Sequence, residues 1–319
     1  MKKREITDQM RARIENRGQT SLPPVPTTIL TARAVAASTM EIAKTGSYEL
    51  AGKRIEIAAA VQECLEKTRV VLDAAPLVKL ARATPIKHQT RIEVTAEKTA
   101  DCVRRLLNEG SKRVALLNFA NGTHVGGGFM TGARAQEEDL CRCSALFDCL
   151  TSKKAEKFYT ENEAAGTALV SDAMIVSPAV PFFRAENWEL LEQPFQATVI
   201  TAAAPDQFWL AARVEDGLEK PVEEETLEQV FADRARAIIA AAYDDGAYAL
   251  VLGAWGCGAF GNDPEMVAAG FQEAIADLGA CLPRISFAVW SAHEPSINRF
   301  VFENRLLGER GGYDAGELE

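Results

Sequence analysis

Two neighbouring carboxylates, Glu137 and Glu138, follow Gln136 at the predicted start of a helix. A glycine triplet at residues 126–128 precedes them, separated by the short spacer 129–135. Glycine loses more backbone freedom on folding than any other residue, so three in a row indicate that another group approaches this backbone closely. Neighbouring residues on a helix point in different directions. We therefore expect separate roles for the two glutamates, one orienting hydroxyl groups and the other transferring a proton.

The start of a helix is an electrostatically awkward place for a general acid. The helix dipole favours the ionised carboxylate, whereas proton donation near neutral pH needs a raised pKa. Burial, a neighbouring carboxylate and the phosphates of a ligand would each raise that pKa. In the simpler interpretation, Glu137, Glu138 and Asp139 only complement the helix dipole. The glycine triplet upstream favours a functional site instead.

A second glycine-rich segment, GAWGCGAFGNDPE at residues 253–265, also follows an apolar predicted strand and precedes a predicted helix. Open α/β sheets bind ligands at such positions. Neither segment has the P-loop or the dinucleotide fingerprint, but backbone amides near the start of a helix bind phosphate well. One glycine-rich turn alone is more often a tight connection. Two at matching positions predict a diphosphate that spans both.

The predicted elements that position these segments form an α/β domain. From residue 91 onward, short β-branched runs alternate with amphipathic helices, which is typical of a sheet covered by helices on both faces. Residues 1–90 contain alanine-rich helix-forming segments and predict a helical extension packed on the core. The predicted strands are residues 91–95, 113–120, 172–177, 196–203, 247–254 and 284–291.

Composition excludes several classes of protein. The formal net charge of −10 argues against a partner held through nucleic-acid phosphates, whether DNA or RNA. Seven cysteines without a compact framework spacing predict reduced thiols in a cytoplasmic protein. The charged residues 1–18 lack a signal-peptide pattern, and no apolar run reaches the roughly 20 residues that cross a bilayer. We expect a protein without a membrane partner.

The cysteines and histidines do not predict a metal site. Cys141 and Cys143 have no second matching pair, and the predicted helix points their side chains apart. Buried structural thiols are the better interpretation, even with His124 and Cys257 in the glycine-rich segments. No histidine pairs with a nucleophilic serine or cysteine in a recognisable pattern. We expect neither a metal nor a cofactor.

Residues 118–142, NFANGTHVGGGFMTGARAQEEDLCR, resemble the signature of the bacterial-type poly(ADP-ribose) glycohydrolases, in which GGG is followed after a short spacer by QEE. The segment GAWGCGAFGND resembles the diphosphate-binding loop of that family, and SPAVPFFR at residues 177–184 is also similar. The resemblance implies a macrodomain-like mixed sheet with helices on both faces. Residues 91–319 would form the catalytic domain.

The resemblance also implies roles for individual residues. Glu138 would be the catalytic acid, Glu137 would hold ribose hydroxyls, and Gln136 would support them. Asn121 would hydrogen-bond the distal ribose. Trp290 offers a large apolar face for adenine, although a tryptophan ending a strand is equally expected in a core. The glycines of the first segment and the diphosphate loop complete the implied substrate-binding set: Gly126, Gly127, Gly128, Gly256, Cys257, Gly258, Ala259 and Phe260.

The implied reaction is hydrolysis of the ribose–ribose O-glycosidic bond, with poly(ADP-ribose) or an ADP-ribosylated protein as partner and ADP-ribose as product. Glu138 would protonate the leaving ribose oxygen, and water would complete the cleavage. Adjacent glutamates cannot flank a sugar as the two carboxylates of most glycosidases do. Two alternatives stay open, a mono-ADP-ribosyl hydrolase and a macrodomain that binds ADP-ribose without cleaving it. The intact pair Glu137 and Glu138 argues against the second alternative.

Overall fold

A computed structural model describes residues 27–308 of the chain. None of the helices in this part of the chain is both long and apolar enough to cross a membrane. The helices and strands are α1 (Thr27–Thr45), β1 (Ser47–Leu50), β2 (Lys53–Glu56), α2 (Ala58–Lys67), β3 (Arg69–Val71), α3 (Ala75–Arg82), β4 (Arg91–Thr95), α4 (Thr99–Asn108), β5 (Val114–Ala120), α5 (Gln136–Cys143), α6 (Leu146–Thr151), α7 (Glu156–Ala165), β6 (Met174–Arg184), β7 (Leu190–Ala203), α8 (Gln207–Glu215), α9 (Glu224–Asp244), β8 (Ala249–Leu252), α10 (Pro264–Leu278), β9 (Arg284–Ala288) and α11 (Ile297–Leu307).

The central sheet has seven strands in the order β3-β6-β7-β5-β8-β9-β4. Strands β7, β5, β8, β9 and β4 run parallel to one another, while β6 pairs antiparallel with both β7 and β3. The prediction of a mixed α/β sheet is confirmed. All six predicted strands are present, and β6 and β7 are longer than predicted because they pair with each other as far as Arg184 and Leu190.

Strand β5 shows why the predicted strands are runs of mostly apolar residues. Ala115 and Leu117 belong to one buried cluster, whereas Val114 and Leu116 belong to another. Successive side chains of a strand point to opposite faces, so each face of the sheet has its own core. Helices α9 and α10 contribute to the first cluster, and α4 to α7 contribute to the second. A strand buried on both faces therefore consists mostly of apolar residues, and Asn118 is the polar exception in β5.

The residues before β4 form more than a helical extension. Strands β1 and β2 pair as a hairpin around Gly52, whose φ of +75° suits glycine. Strand β3 joins the edge of the central sheet, with Arg69 opposite Val176. This segment is therefore built into the sheet as well as packed on it. The domain boundary at residue 90 stays a prediction, and residues 1–26 and 309–319 of the two predicted domains lie outside the described residues.

Candidate active site

The two glycine-rich segments leave the same edge of the sheet. Strands β5 and β8 are parallel neighbours, with Leu116 opposite Val251, so their carboxyl ends lie side by side. The first loop, residues 121–135, connects β5 to α5, and the second loop, residues 253–263, connects β8 to α10. Both loops therefore follow a strand and precede a helix, as the sequence predicts. This is the edge at which open α/β sheets bind ligands.

A cavity of about 310 Å³ opens at this edge. Its walls come from the second loop, the start of α5, and the segments that follow β4 and β9. Phe119, Lys98 and Glu186 also line it. Among the predicted site residues, those in the cavity wall are Gln136, Gly256, Gly258, Ala259, Phe260 and Trp290.

The side chain of Glu137 is held beneath the first loop. It is 3% exposed; Oε1 accepts a hydrogen bond from Asn118 Nδ2 at 3.1 Å, and Oε2 accepts one from the Asn121 backbone N–H at 2.9 Å. Burial raises the pKa of Glu137 to about 8, and the charge of Glu138 acts in the same direction, while the two hydrogen bonds oppose the shift. Glu137 therefore keeps its proton over part of the neutral pH range.

Glu138 connects the first loop to the start of α5. It is 8% exposed; its Oε1 accepts from the Gly128 N–H at 2.8 Å and its Oε2 from the Ala135 N–H at 3.0 Å. The second bond is the usual way in which a glutamate at the third helical position satisfies a free N–H at the helix start. The two bonds fix the carboxylate between the glycine triplet and the helix.

The glycine triplet makes room for these carboxylates. Gly127 has a φ of +55°, and a Cβ built there would lie 2.5 Å from Glu138 Oε1 and 3.1 Å from Glu137 Oε2. At Gly126, whose φ is +65°, a Cβ would lie 2.8 Å from the ring of Phe147. Any side chain at these two positions would therefore displace either the catalytic candidates or the aromatic ring that supports the loop.

Gln136 and Asn121 shape the site through the backbone. Gln136 Oε1 accepts from the Phe119 N–H at 2.8 Å, and its Nε2 donates to the carbonyl of Leu117 at 2.7 Å. Gln136 thus ties the start of α5 to the end of β5. Asn121 Oδ1 accepts from the His124 N–H at 2.8 Å and closes the turn that begins the first loop. The predicted bond from Asn121 to a ribose stays a prediction.

The second loop combines a tight turn with an open stretch of backbone. Gly256 has a φ of +74°, and a Cβ there would overlap the side-chain amide of Asn262. Among the described residues other than its chain neighbours, no heavy atom lies within 4 Å of the Cβ position at Gly258. Cys257 is absent from the cavity wall: its side chain packs against the core, and burial raises its pKa. The part of this loop that is exposed at the cavity is therefore Gly258 and Ala259, with the half-buried Phe260 beside them.

Comparison with known proteins agrees with this geometry. Residues 36–185 match the family model "Microbial-type PARG, catalytic domain". The solved poly(ADP-ribose) glycohydrolase of Thermomonospora curvata is 37% identical, with a TM-score of 0.77, over 86% of this chain and 99% of that one. Its complex with the inhibitor ADP-HPD is 36% identical, with a TM-score of 0.75 and the same coverage. The Deinococcus radiodurans glycohydrolase in complex with ADP-ribose is 34% identical, with a TM-score of 0.71, over 79% of this chain and 98% of that one. The curated protein sequences contain no match to the chain.

The chain belongs to the microbial-type poly(ADP-ribose) glycohydrolase family. It is an enzyme of the glycosidase class, and the family resemblance stated from its motifs is confirmed. The macrodomain-like fold predicted from that resemblance is confirmed as well.

One end of the glycosidase's cavity holds a charged group that the sequence motifs do not reveal. Lys98 Nζ lies 3.5 Å from Asp139, 3.7 Å from Glu186 and 4.9 Å from the ring centroid of Trp290. Burial raises the pKa of Glu186 to about 7, although the Ala100 N–H and Lys98 lower it. Trp290 is 52% exposed at the cavity, so the alternative that it lies in the core is wrong.

Arg142 is a second contributor that the motifs do not reveal. Its guanidinium is fully buried and donates to the carbonyls of Ala133 at 2.6 Å and Ala32 at 3.2 Å. It also pairs with Asp139 at 3.1 Å. Arg142 thereby fastens the end of the first loop to α5 and to α1. The sequence signal for this role is an arginine within the otherwise apolar end of α5, because a buried arginine needs hydrogen-bond partners.

Proposed function

We propose that the enzyme hydrolyses the ribose–ribose O-glycosidic bond of poly(ADP-ribose) and releases ADP-ribose, with Glu138 as general acid and base. The observation that carries this proposal is that both carboxylates fill the space a side chain at Gly127 would need, at the same sheet edge as the cavity and the second loop. A cytoplasmic location is part of the proposal. All seven cysteines are free thiols, as expected in a reducing compartment.

The residues that line the site suit a ligand with a base, a diphosphate and two riboses. The adenine would enter the cavity beside Trp290 and Phe119, whose aromatic rings suit stacking. The diphosphate would lie against the exposed backbone from Gly258 to Phe260, at the start of α10. The distal ribose would then reach the first loop beside Glu137 and Glu138.

The two glutamates differ enough to divide the chemistry. Glu137, with a pKa raised to about 8 and two hydrogen-bond donors already in place, suits the binding of ribose hydroxyls. Glu138 is slightly more exposed and fixed by two backbone N–H groups, which supports its proposed role as the residue that meets the leaving oxygen. Proton transfer from Glu138 would break the glycosidic bond, and the same carboxylate would then accept a proton from the attacking water.

The decisive experiment compares the wild type with Glu138→Gln on purified poly(ADP-ribose). We expect release of ADP-ribose to fall by about 10²- to 10⁴-fold, the usual contribution of a positioned acid or base. Calorimetry should show that the variant still binds ADP-ribose. Glu225→Gln is the matched control, because Glu225 lies in the first turn of α9, exposed and outside the cavity wall.

The same experiment, run on the polymer and on a mono-ADP-ribosylated protein, distinguishes the alternative functions. Turnover of a mono-ADP-ribosylated protein without turnover of the polymer would replace the proposal by the mono-ADP-ribosyl hydrolase. Binding of ADP-ribose without turnover of either substrate would leave a binding protein. Full activity of Glu138→Gln on the polymer would remove Glu138 from its proposed role.

A further inference from the structure

An exposed indole lies on helix α8, outside the cavity wall itself. Trp209 is 40% exposed, and Arg213, one helical turn later, places its guanidinium carbon 4.9 Å from the indole centroid. Helix α8 follows β7, whose last residue Ala203 pairs with Ala120 at the end of β5. The helix therefore begins at the same sheet edge as the two glycine-rich loops.

Helix α8 contacts the second loop directly. The Phe208 N–H donates to the carbonyl of Phe260 at 3.2 Å. A Cβ at Gly261, whose φ is +69°, would overlap the Phe208 ring. The residue that precedes Trp209 in the helix is thus packed on the loop proposed to hold the diphosphate.

The same helix is also linked to the ribose end of the site. Arg213 Nη2 donates to the carbonyl of Gly166 at 2.7 Å. The segment that begins there extends to Val170, whose Cγ1 lies 3.2 Å from the Cβ position at Gly122. Gly122 directly follows Asn121 in the first loop. Helix α8 is therefore connected to the second loop through Phe208 and to the first loop through the segment from Gly166 to Val170.

The charge of Arg213 is already neutralised. Its Nε donates to Glu219 Oε2 at 2.7 Å, and Glu219 is held in turn by the Ala168 N–H at 3.1 Å. A phosphate approaching this surface would meet the Glu219 carboxylate as well as the guanidinium. A planar base meets no such opposition, because stacking needs only the faces of the indole and the guanidinium.

This inference rests on the proposed function and extends it to the other side of the bond that is cleaved. We propose that Trp209, held in place by Arg213, stacks the adenine of the second ADP-ribose unit, which departs when the terminal unit is released. A single attached ADP-ribose has no second adenine. The Trp209 surface therefore makes the enzyme favour the polymer over mono-ADP-ribosylated substrates.

The test compares Trp209→Ala and Trp209→Phe with the wild type, on polymer of one defined length. Because Trp209→Ala would remove one base–aromatic stack, it should raise KM for the polymer by about 5- to 150-fold. Trp209→Phe should restore most of the affinity because it keeps an aromatic face. The affinity for ADP-ribose itself, measured by calorimetry, should not change. Tyr248→Ala is the matched control, since Tyr248 is 49% exposed at the opposite, amino end of β8.

Two results would overturn the inference: an unchanged KM for the polymer in Trp209→Ala, or an equal loss of affinity for ADP-ribose. Thermal midpoints of all three variants show whether folding is preserved. Polymer binding is also measured in the Glu138→Gln background, where turnover is not needed. If the proposed hydrolysis is wrong, the wild type will not cleave the polymer. If this inference is wrong, the substitutions at Trp209 will leave polymer binding unchanged.

Discussion

The two glycine-rich loops use glycine for different physical reasons. In the first loop, Gly127 leaves space that Glu137 and Glu138 fill, because a Cβ there would lie 2.5 Å from one carboxylate oxygen. In the second loop, Gly258 lies in the cavity wall, and its Cβ position has no neighbour within 4 Å in the described part of the chain beyond the adjoining residues. The first loop is therefore shaped around the enzyme's own acids, and the second leaves backbone open to a ligand.

Because of this difference, we expect changes in the first loop to affect turnover and changes in the second loop to affect ligand binding. A change in the first loop moves the carboxylates, so it should act on the chemical step and on stability. A change in the open part of the second loop meets nothing in the protein and should act only on the bound ligand. The largest effects are therefore expected in the first loop.

Gly127→Ala should have the largest effect. The new methyl group would meet Glu138 Oε1, and the φ of +55° adds about 1–2 kcal/mol of backbone strain. Displacement of a catalytic group by about 1 Å costs on the order of 100-fold in rate, so we expect kcat on poly(ADP-ribose) to fall at least that far. Steady-state kinetics measures the loss, and circular dichroism establishes that the variant is folded. Wild-type kcat in a folded variant would show that the two carboxylates are not held by this glycine.

Glu137→Gln should change how stability depends on pH. Folded Glu137 keeps its proton up to about pH 8, whereas the ordinary value is 4.5. Because the folded state binds the extra proton, the wild-type free energy of unfolding falls as pH rises through this window. The side-chain amide of Asn118 can rotate to accept a hydrogen bond from the new amide at position 137, because Asn118 Oδ1 has no partner within the described residues.

The measurement is urea unfolding of both proteins at several pH values. The stability of Glu137→Gln relative to the wild type should rise by about 1.4 kcal/mol per pH unit between 4.5 and 8. Glu225→Gln, a substitution of an exposed glutamate, is measured in the same way as the control. A flat difference for Glu137→Gln would mean that its carboxylate is hydrated in solution.

The sequence predicts the parts of the site that depend on short-range pattern. A glycine triplet, a spacer and QEE fix a loop followed by a helix start, and α5 begins at Gln136 as expected. The runs of β-branched and apolar residues predict every strand from β4 onward, and β8 is apolar throughout because it is buried on both faces. Such features need no knowledge of distant contacts.

The parts that depend on distant contacts are not predictable in this way. Strand β3 is only three residues long and exists because β6 supplies its partner. Glu186 acquires its raised pKa from burial beside the segment that follows β4, about 90 residues earlier in the chain. Trp209 is one of four tryptophans in the sequence, and only its place beside the second loop distinguishes it.

Gly258→Ala should give the smallest effect and is the matched counterpart of Gly127→Ala. Its backbone does not have a positive φ and its Cβ position is open, so stability should stay within about 0.5 kcal/mol of the wild type. The new methyl group would stand where the diphosphate is proposed to approach the backbone. Calorimetry should therefore show weaker binding of ADP-ribose, by about tenfold for a loss of about 1.4 kcal/mol. Because kcat at saturating polymer should be preserved, an equal loss of kcat in both glycine variants would contradict the division of labour between the two loops.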